Sequence, residues 1–261
     1  MRIGLIQLNI GSEAKQANHE SAAALVQQAA QLGCDVAVFP ELFDTGFSQN
    51  ITTIAATGDD TAVFLSNLAQ THHINLIAGY AESVSGSEKV NNVAIVYNQE
   101  GNLIVKYVKI HPFTFAREDR YFSPGDKIVT FKLADVPSGV FICYDLRFPE
   151  VFRSIAKMVH MIFVVANWPT SRKDHWLTLL KARAIENQCF VIGVNRTGIS
   201  QQGLHFPGAS AVFDPFGHEI CRGSETETTV IVDIDVHEVT QIRREFPFLE
   251  DMRPFTLMLG R

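Results

Sequence analysis

The run Gly139-Val-Phe-Ile-Cys-Tyr-Asp-Leu-Arg-Phe-Pro-Glu150 constrains the fold of this chain more than any other stretch. An apolar strand there delivers Cys143, and the chain then turns sharply into a helix. Any sheet holding this strand must therefore present a thiol at its carboxyl edge. Backbone N–H groups at the start of the following helix give such a thiol partly positive surroundings, expected to favour thiolate and any developing oxyanion. Taken alone, the segment reads more readily as a core cysteine, because free Cys is among the most buried residue types. The ends of two other strands reverse that balance.

Residues 35–39, Asp-Val-Ala-Val-Phe, form a fully buried strand that Pro40 ends by withholding an N–H, so Glu41 follows directly on a stiff apolar element. Leu42, Phe43 and Phe47 surround it. A carboxylate in that setting is penalised by desolvation unless it has a partner or a task, which sets it apart from an ordinary loop acid. Residues 90–98 and 103–108 read as a hairpin turning through Gln99-Glu-Gly-Asn102. Alternation along its second arm puts Lys106 and Val108 on one face and Tyr107 and Lys109 on the other. Lys109 closes that arm, and His111 beyond it reads as a structural histidine or as an orienting hydrogen-bonder.

The remaining pattern alternates strands and helices, an α/β arrangement. Strands are expected over residues 3–8, 75–80, 161–166 and 189–194, with antiparallel strands over 210–213 and 229–236 joined through Asp214-Pro-Phe-Gly217. Helices are expected over 14–31, stopped by Gly33, and over 61–70, 150–157, 174–188 and 236–244. The helix over 174–188 should carry Trp176, Leu177, Leu180, Ala184 and Ile185 on its apolar stripe. Residues 113–122 read as a loop bearing Arg117, Glu118, Asp119 and Arg120. The strand over 161–166 sets down Asn167-Trp168-Pro169 at its carboxyl edge, where Trp168 either walls a pocket or caps the core. The tail over 245–261 is apolar enough to pack on its own subunit or on a partner. No linker divides the chain, so residues 1–261 are expected to form one domain.

A formal charge of -6 with scattered Lys and Arg argues against a nucleic-acid or anionic-membrane surface, leaving a small molecule as the expected partner. No apolar segment approaches transmembrane length and no signal-peptide pattern opens the chain, so a cytoplasmic setting is expected. The four cysteines, Cys34, Cys143, Cys189 and Cys221, form no C-x-x-C pair, which suggests neither a structural zinc site nor a dithiol redox motif.

Cys143, Glu41 and Lys109 each close an expected strand, and carboxyl edges of strands are where ligand sites assemble in α/β sheets. A Cys-His protease would need an activating imidazole, and no histidine lies in a compelling motif, so a Glu base with a Lys cation fits better. At these residues the chain resembles the nitrilase superfamily of carbon-nitrogen hydrolases. The motifs are Phe39-Pro-Glu-Leu-Phe43, Lys109-Ile-His-Pro-Phe113 and Ile142-Cys-Tyr-Asp-Leu-Arg-Phe148. Ala166-Asn-Trp-Pro169, Lys181-Ala-Arg-Ala-Ile-Glu-Asn-Gln188 and Gly193-Val-Asn-Arg196 look most like the omega-amidase branch, whose members hydrolyse the terminal amide of 2-oxoglutaramate and similar omega-amides.

The resemblance implies a four-layer α-β-β-α sandwich, a homodimer that buries one outer helix layer, a Glu41-Lys109-Cys143 triad with Glu118 as second glutamate, and no cofactor or metal. Pro112 stands where the family commonly has Leu, a departure that bears on the pocket-shaping loop over 113–122. Tyr144, Asn167, Trp168, Arg117 and Arg172 are the expected substrate-binding residues, and Lys173 is a further candidate for gripping a distal carboxylate. A nitrilase proper and a carbamoylase are rivals on the same fold, and a non-catalytic ligand-binding member is a rival of another class.

Overall fold

The computed structural model describes residues 1–55 and 58–253. Its first half runs β1 (Arg2–Gln7), α1 (Lys15–Gln31), β2 (Val36–Val38), α2 (Ile51–Ala55), α3 (Gly58–His72), β3 (Asn75–Ser83), β4 (Val90–Tyr97) and β5 (Leu103–Val108). Next come α4 (Glu118–Tyr121), β6 (Phe122–Ser123), β7 (Thr130–Leu133), β8 (Val136–Ile142), α5 (Pro149–Ile155), β9 (Met161–Ala166), α6 (Lys173–Asn187) and β10 (Phe190–Asn195). The chain then forms β11 (Thr197–Ile199), β12 (His205–Pro207), β13 (Ala211–Phe213), β14 (Glu219–Arg222), β15 (Thr228–Asp233) and α7 (Glu238–Glu245).

One sheet has the order β15-β1-β2-β3-β4-β5, with β6 beside β4, and the other the order β14-β13-β10-β9-β8-β7. The strands of the first sheet are apolar on both faces for a reason visible in their alternation. Ile3, Leu5, Val36, Val38, Ile77, Ala94 and Val96 pack in one core with Val140, Ile142, Phe163 and Val165 of the second sheet. Their neighbours Ile6, Ala37, Phe39, Leu76, Ala78, Val93 and Ile95 pack the other way, with Ala22, Val26, Leu65 and Ala69 of α1 and α3. The second sheet is covered likewise by Val151, Phe152 and Ile155 of α5 and by Trp176 and Leu180 of α6. The result is the expected four-layer α-β-β-α sandwich. Each fully buried Val, Ile or Phe contributes about 1.5–3 kcal/mol, so the layers are held chiefly by this two-faced burial.

Helix α1 ends as expected, with Gly33 at φ +74 just past the last turn, a left-handed conformation that costs glycine little. At Gly79, in β3, an added Cβ would lie 2.8 Å from the Glu41 Cα, so the missing side chain lets the Glu41 loop lie directly on the strand.

Several expectations are corrected. Residues 113–122 are not a plain loop: a 3₁₀ turn, Thr114–Ala116, leads into α4, and Arg117 joins them at φ +59. Ile185 is 46% exposed and leaves the apolar stripe of α6. The strand expected over 229–236 ends at Asp233, and α2, β7 and the β11–β12 hairpin were not anticipated. In the tail, Leu249 is buried and Phe246 meets Phe216 edge-on at 5.7 Å. Residues 254–261 of that tail, including Phe255, lie outside the described residues.

Candidate active site

Glu41, Lys109 and Glu118 come together where strands of the first sheet end. Lys109 Nζ donates to Glu41 Oε1 at 2.8 Å and to Glu118 Oε1 and Oε2 at 2.9 and 2.8 Å. All three side chains are buried, with residue exposures of 4%, 2% and 2% for Glu41, Lys109 and Glu118. Asn92 Nδ2 bridges the same two carboxylates, donating to Glu41 Oε1 at 2.7 Å and Glu118 Oε1 at 3.0 Å. Glu41 Oε2 accepts the Asn167 N–H at 2.9 Å, and Glu118 Oε2 accepts the Phe113 N–H at 2.6 Å. Burial alone would lower the Lys109 pKa, but Glu118 and Glu41 outweigh it and hold the ammonium well above its ordinary value. Removing Lys109 would leave two buried carboxylates without their cation.

Cys143 lies at the start of the 3₁₀ turn Cys143–Arg147 with φ +44, a left-handed conformation that is strained for a residue with a Cβ. The expectation of a favoured thiolate is overturned. Burial, and then Glu41, push the Cys143 thiol well above its ordinary pKa, and Lys109 offsets only part of this. Two buried carboxylates and one ammonium already sum to a formal charge of -1, so ionising the thiol would bring the cluster to -2. The resting group is a neutral thiol beside a carboxylate able to accept its proton.

Around Cys143 the surface opens into a cleft with two lobes. One, an open cavity of about 110 Å³, is lined by Glu41, Lys109, Glu118 and Cys143, and by the apolar side chains of Phe47, Phe113, Leu204 and Phe206. The other is lined by Tyr144, Arg147 and Trp168, and shares Phe113, Cys143, Asn167, Pro169 and Arg172 with the first. The Arg147 guanidinium lies 4.9 Å from the Trp168 ring and that of Arg172 5.5 Å from Phe113. Neither pairs with an acid among the described residues. The Asn167 side-chain amide is buried with neither its oxygen nor its nitrogen hydrogen-bonded. Trp168 walls this lobe, and its indole N–H donates to the Arg172 carbonyl at 2.7 Å.

Tyr144, Asn167, Trp168 and Arg172 line the cleft, whereas Arg117 does not. Its left-handed backbone turns the chain into α4, and its side chain is exposed outside the lining. Lys173 lies within 3.4 Å of Glu225 and outside the lining. Sequence reasoning missed Asn92 and Arg147. Asn92 was signalled by a polar residue on the inward face that Ala94 and Val96 keep apolar, and Arg147 by its place in the turn that follows Cys143. Among the described residues, no group of three His, Cys, Asp or Glu side chains is placed to hold a metal ion.

A family model described as carbon-nitrogen hydrolase matches residues 2–244. A 2-oxoglutaramate amidase of Bacillus subtilis is 38% identical over 222 residues, covering 84% of this chain and 85% of the relative. An omega-amidase of Mus musculus is 32% identical over 265 residues, covering 97% and 95% of the two chains. Among solved structures, a CN-hydrolase superfamily protein from Xanthomonas campestris with an arsenic adduct in its active site superposes with a TM-score of 0.92. It is 29% identical, with 99% of each chain covered.

Proposed function

The chain belongs to the carbon-nitrogen hydrolase family, and from that premise we propose that it hydrolyses the terminal amide of a short dicarboxylic acid monoamide, of the 2-oxoglutaramate or succinamate kind, through a thioester on Cys143. The observation that carries this reading is the two-lobed cleft. One lobe holds a thiol, two carboxylates and an ammonium, while Arg147 lines the other and Arg172 the boundary between them, neither with an acid partner among the described residues. Linear omega-amides present both halves of that pattern, a neutral amide at one end and a carboxylate at the other. The B. subtilis relative carries the name of such an activity.

The mechanism follows from the hydrogen bonds. Glu41 takes the Sγ proton as Cys143 attacks the amide carbonyl, forming the C–S bond and moving the carbonyl electron pair onto oxygen. Lys109 Nζ and the backbone N–H of Tyr144 stabilise that oxyanion. Glu41 returns the proton to the amide nitrogen, the C–N bond breaks and ammonia leaves. Water then gives a proton to Glu41 as its oxygen adds to the thioester. Collapse expels the sulfur, which regains the proton, and the carboxylic acid is released. A thiol that ionises only during attack suits this sequence, because the lysine and two acids then need no rearrangement. Glu118 and Asn92 hold Lys109 and Glu41 throughout.

A homodimer is part of this reading. Ile185, Phe216, Ile220 and Phe248 are 46%, 45%, 41% and 61% exposed. A Cβ added at Gly217 would meet the Ile185 side chain, and the Phe216, Phe246 and Phe248 rings follow one another within 6 Å. This apolar strip beside α6 supports burial of that helix layer against a second copy. Cys34, Cys143, Cys189 and Cys221 are all free, which suits a reducing, cytoplasmic setting. No described helix is long and apolar enough to cross a membrane.

The test is a matched pair, succinamate against butyramide, with ammonia release followed for both. The expected kcat/KM ratio is about 10²-fold or more in favour of succinamate, because leaving arginines unpaired in the occupied cleft forfeits several kcal/mol. Equal efficiency would remove the omega-amide assignment, and faster turnover of the matching nitrile would replace it with a nitrilase reading.

A further inference from the structure

Asp145 neither lines the cleft nor belongs to the charged cluster, yet it joins the two segments that carry Lys109 and Cys143. We propose that Asp145 is a positioning residue that fixes the nucleophile turn against the lysine-bearing segment, an inference that rests on Cys143 being the nucleophile. The carboxylate is completely buried. Its Oδ1 accepts the His111 backbone N–H at 3.0 Å and meets His111 Nδ1 at 2.8 Å. Its Oδ2 accepts the Ile142 backbone N–H at 3.0 Å and the Tyr107 hydroxyl at 2.7 Å. Because a carboxylate only accepts, His111 Nδ1 must carry its proton in this arrangement.

These four donors come from two places in the sequence and from no others. Tyr107 and His111 stand two residues before and after Lys109, and Ile142 directly precedes Cys143. The Tyr107 hydroxyl also accepts the Ile110 N–H at 3.3 Å, drawing the chain after Lys109 into the same knot. Burial and the adjacent Asp145 push the Tyr107 pKa far up, so its hydroxyl remains a donor across the working pH range. On the other side, the Ile142 bond closes the turn at the residue before Cys143, whose left-handed backbone, at φ +44, needs an external constraint to persist. His111 is in turn held flat against Phe148, 3.8 Å between ring centroids and 7° between planes, at the far end of the same turn.

The geometry makes the carboxylate irreplaceable by its amide. Each oxygen takes one backbone N–H, and a backbone N–H cannot reverse its polarity. In Asp145→Asn, one of the two must face an NH₂ group, so either the His111 side or the Ile142 side is released. Displacement of a reacting group by about 1 Å costs on the order of 10²-fold in rate. Arg172, carried by the separate turn Thr170–Arg172, lies outside both segments and keeps a cation in the cleft.

The experiment is single-turnover acylation of the full-length enzyme by succinamate, followed by quenching and intact mass, with substrate concentration varied. For Asp145→Asn the maximal acylation rate should fall about 10²-fold while the half-saturating concentration stays within about threefold of wild type. Tyr107→Phe and His111→Ala each remove one side-chain donor and keep both backbone bonds, so each should lose about three- to tenfold in rate, again without a change in half-saturation. Should Asp145→Asn fail to fold, these two variants decide. Wild-type rates in both, or in folded Asp145→Asn, would overturn the inference alone. A wild-type enzyme that never acquires the acyl mass would overturn the parent reading and this inference with it.

Discussion

At one end of the cleft, Lys109 and Asn92 both donate to Glu41 and Glu118. Toward the other, Arg147, and Arg172 at the boundary of the two lobes, have aromatic faces for neighbours and no acid among the described residues. The charged groups of the first region are saturated by one another before any ligand arrives, and its two carboxylates are fixed by backbone bonds from Asn167 and Phe113. Such preorganisation favours charge that develops during reaction, because nothing need reorient when it appears. The second is built for charge that arrives with the substrate: its guanidiniums are oriented by stacking while their N–H groups retain capacity for a carboxylate. Chemistry and selection are thereby assigned to different residues, and the two should be separable by mutation.

The sharpest way to break this division is to remove the thiol. Cys143→Ala should abolish hydrolysis of every amide, while Cys34→Ala, Cys189→Ala and Cys221→Ala keep it, as measured by ammonia release. Burial raises the Cys34 and Cys221 thiols to about 11 and Cys189 to about 12, and none of the three lines the cleft. Residual turnover in Cys143→Ala would mean that the saturated end is a binding site rather than the place of bond cleavage.

A smaller effect is expected at the other end. Arg147→Met and Arg172→Met keep most of each side chain's apolar bulk and remove the charge. Each should raise KM for succinamate by about tenfold, as expected for losing one charge-assisted hydrogen bond, with kcat changed by less than threefold. Butyramide, which has no distal charge, should be processed equally by wild type and variants. A fall in kcat for both substrates would show that the arginines act on the reacting groups, and the division would fail.

How much of this was legible in the sequence differs between the ends in the same way. Glu41 and Cys143 are polar groups set at the ends of apolar strands, and Lys109 closes a strand that Lys106 makes only partly apolar, so the three were conspicuous together rather than singly. Glu118 was reached through the motif resemblance, since its short helix looks like an ordinary charged loop. The arginines follow no such rule. Arg117 and Arg172 both sit in polar segments, and only the left-handed turn at residue 117 excludes one of them from the cleft. Asn92 acts through partners 26 and 51 residues away, and Asp145 joins Ile142, three residues before it, to His111 and Tyr107, 34 and 38 residues away; over the longer distances sequence periodicity carries no information. The Cys143 environment was misread because a turn's partial charges are short-ranged, whereas burial and the Glu41 carboxylate act directly on the sulfur.

The last and smallest expected effect concerns what lies beneath the saturated end. His19 of α1 stacks on Phe64 at 3.9 Å and on Phe43 at 5.8 Å, under the loop that carries Glu41, and the adjacent Asn18 donates to the Asp44 carbonyl at 2.7 Å. Burial, assisted by Lys15, lowers the His19 pKa to about 4 from an ordinary 6.5. The unfolded chain therefore binds a proton that the folded one refuses between those values. Stability is fully present above pH 6.5 and is lost as pH falls toward 4. The ring is only half-buried, so the loss attributable to it is about 1 kcal/mol after allowing for solvent screening. Thermal melts of wild type and His19→Gln at pH 7 and pH 4.5 should show the variant losing less on acidification, because Gln does not titrate. If the amide end depends on this packing, wild-type succinamate turnover should decline over the same interval faster than half-saturation shifts. Parallel acid profiles for the two proteins would locate the acid sensitivity elsewhere and leave the Glu41 loop independent of the ring beneath it.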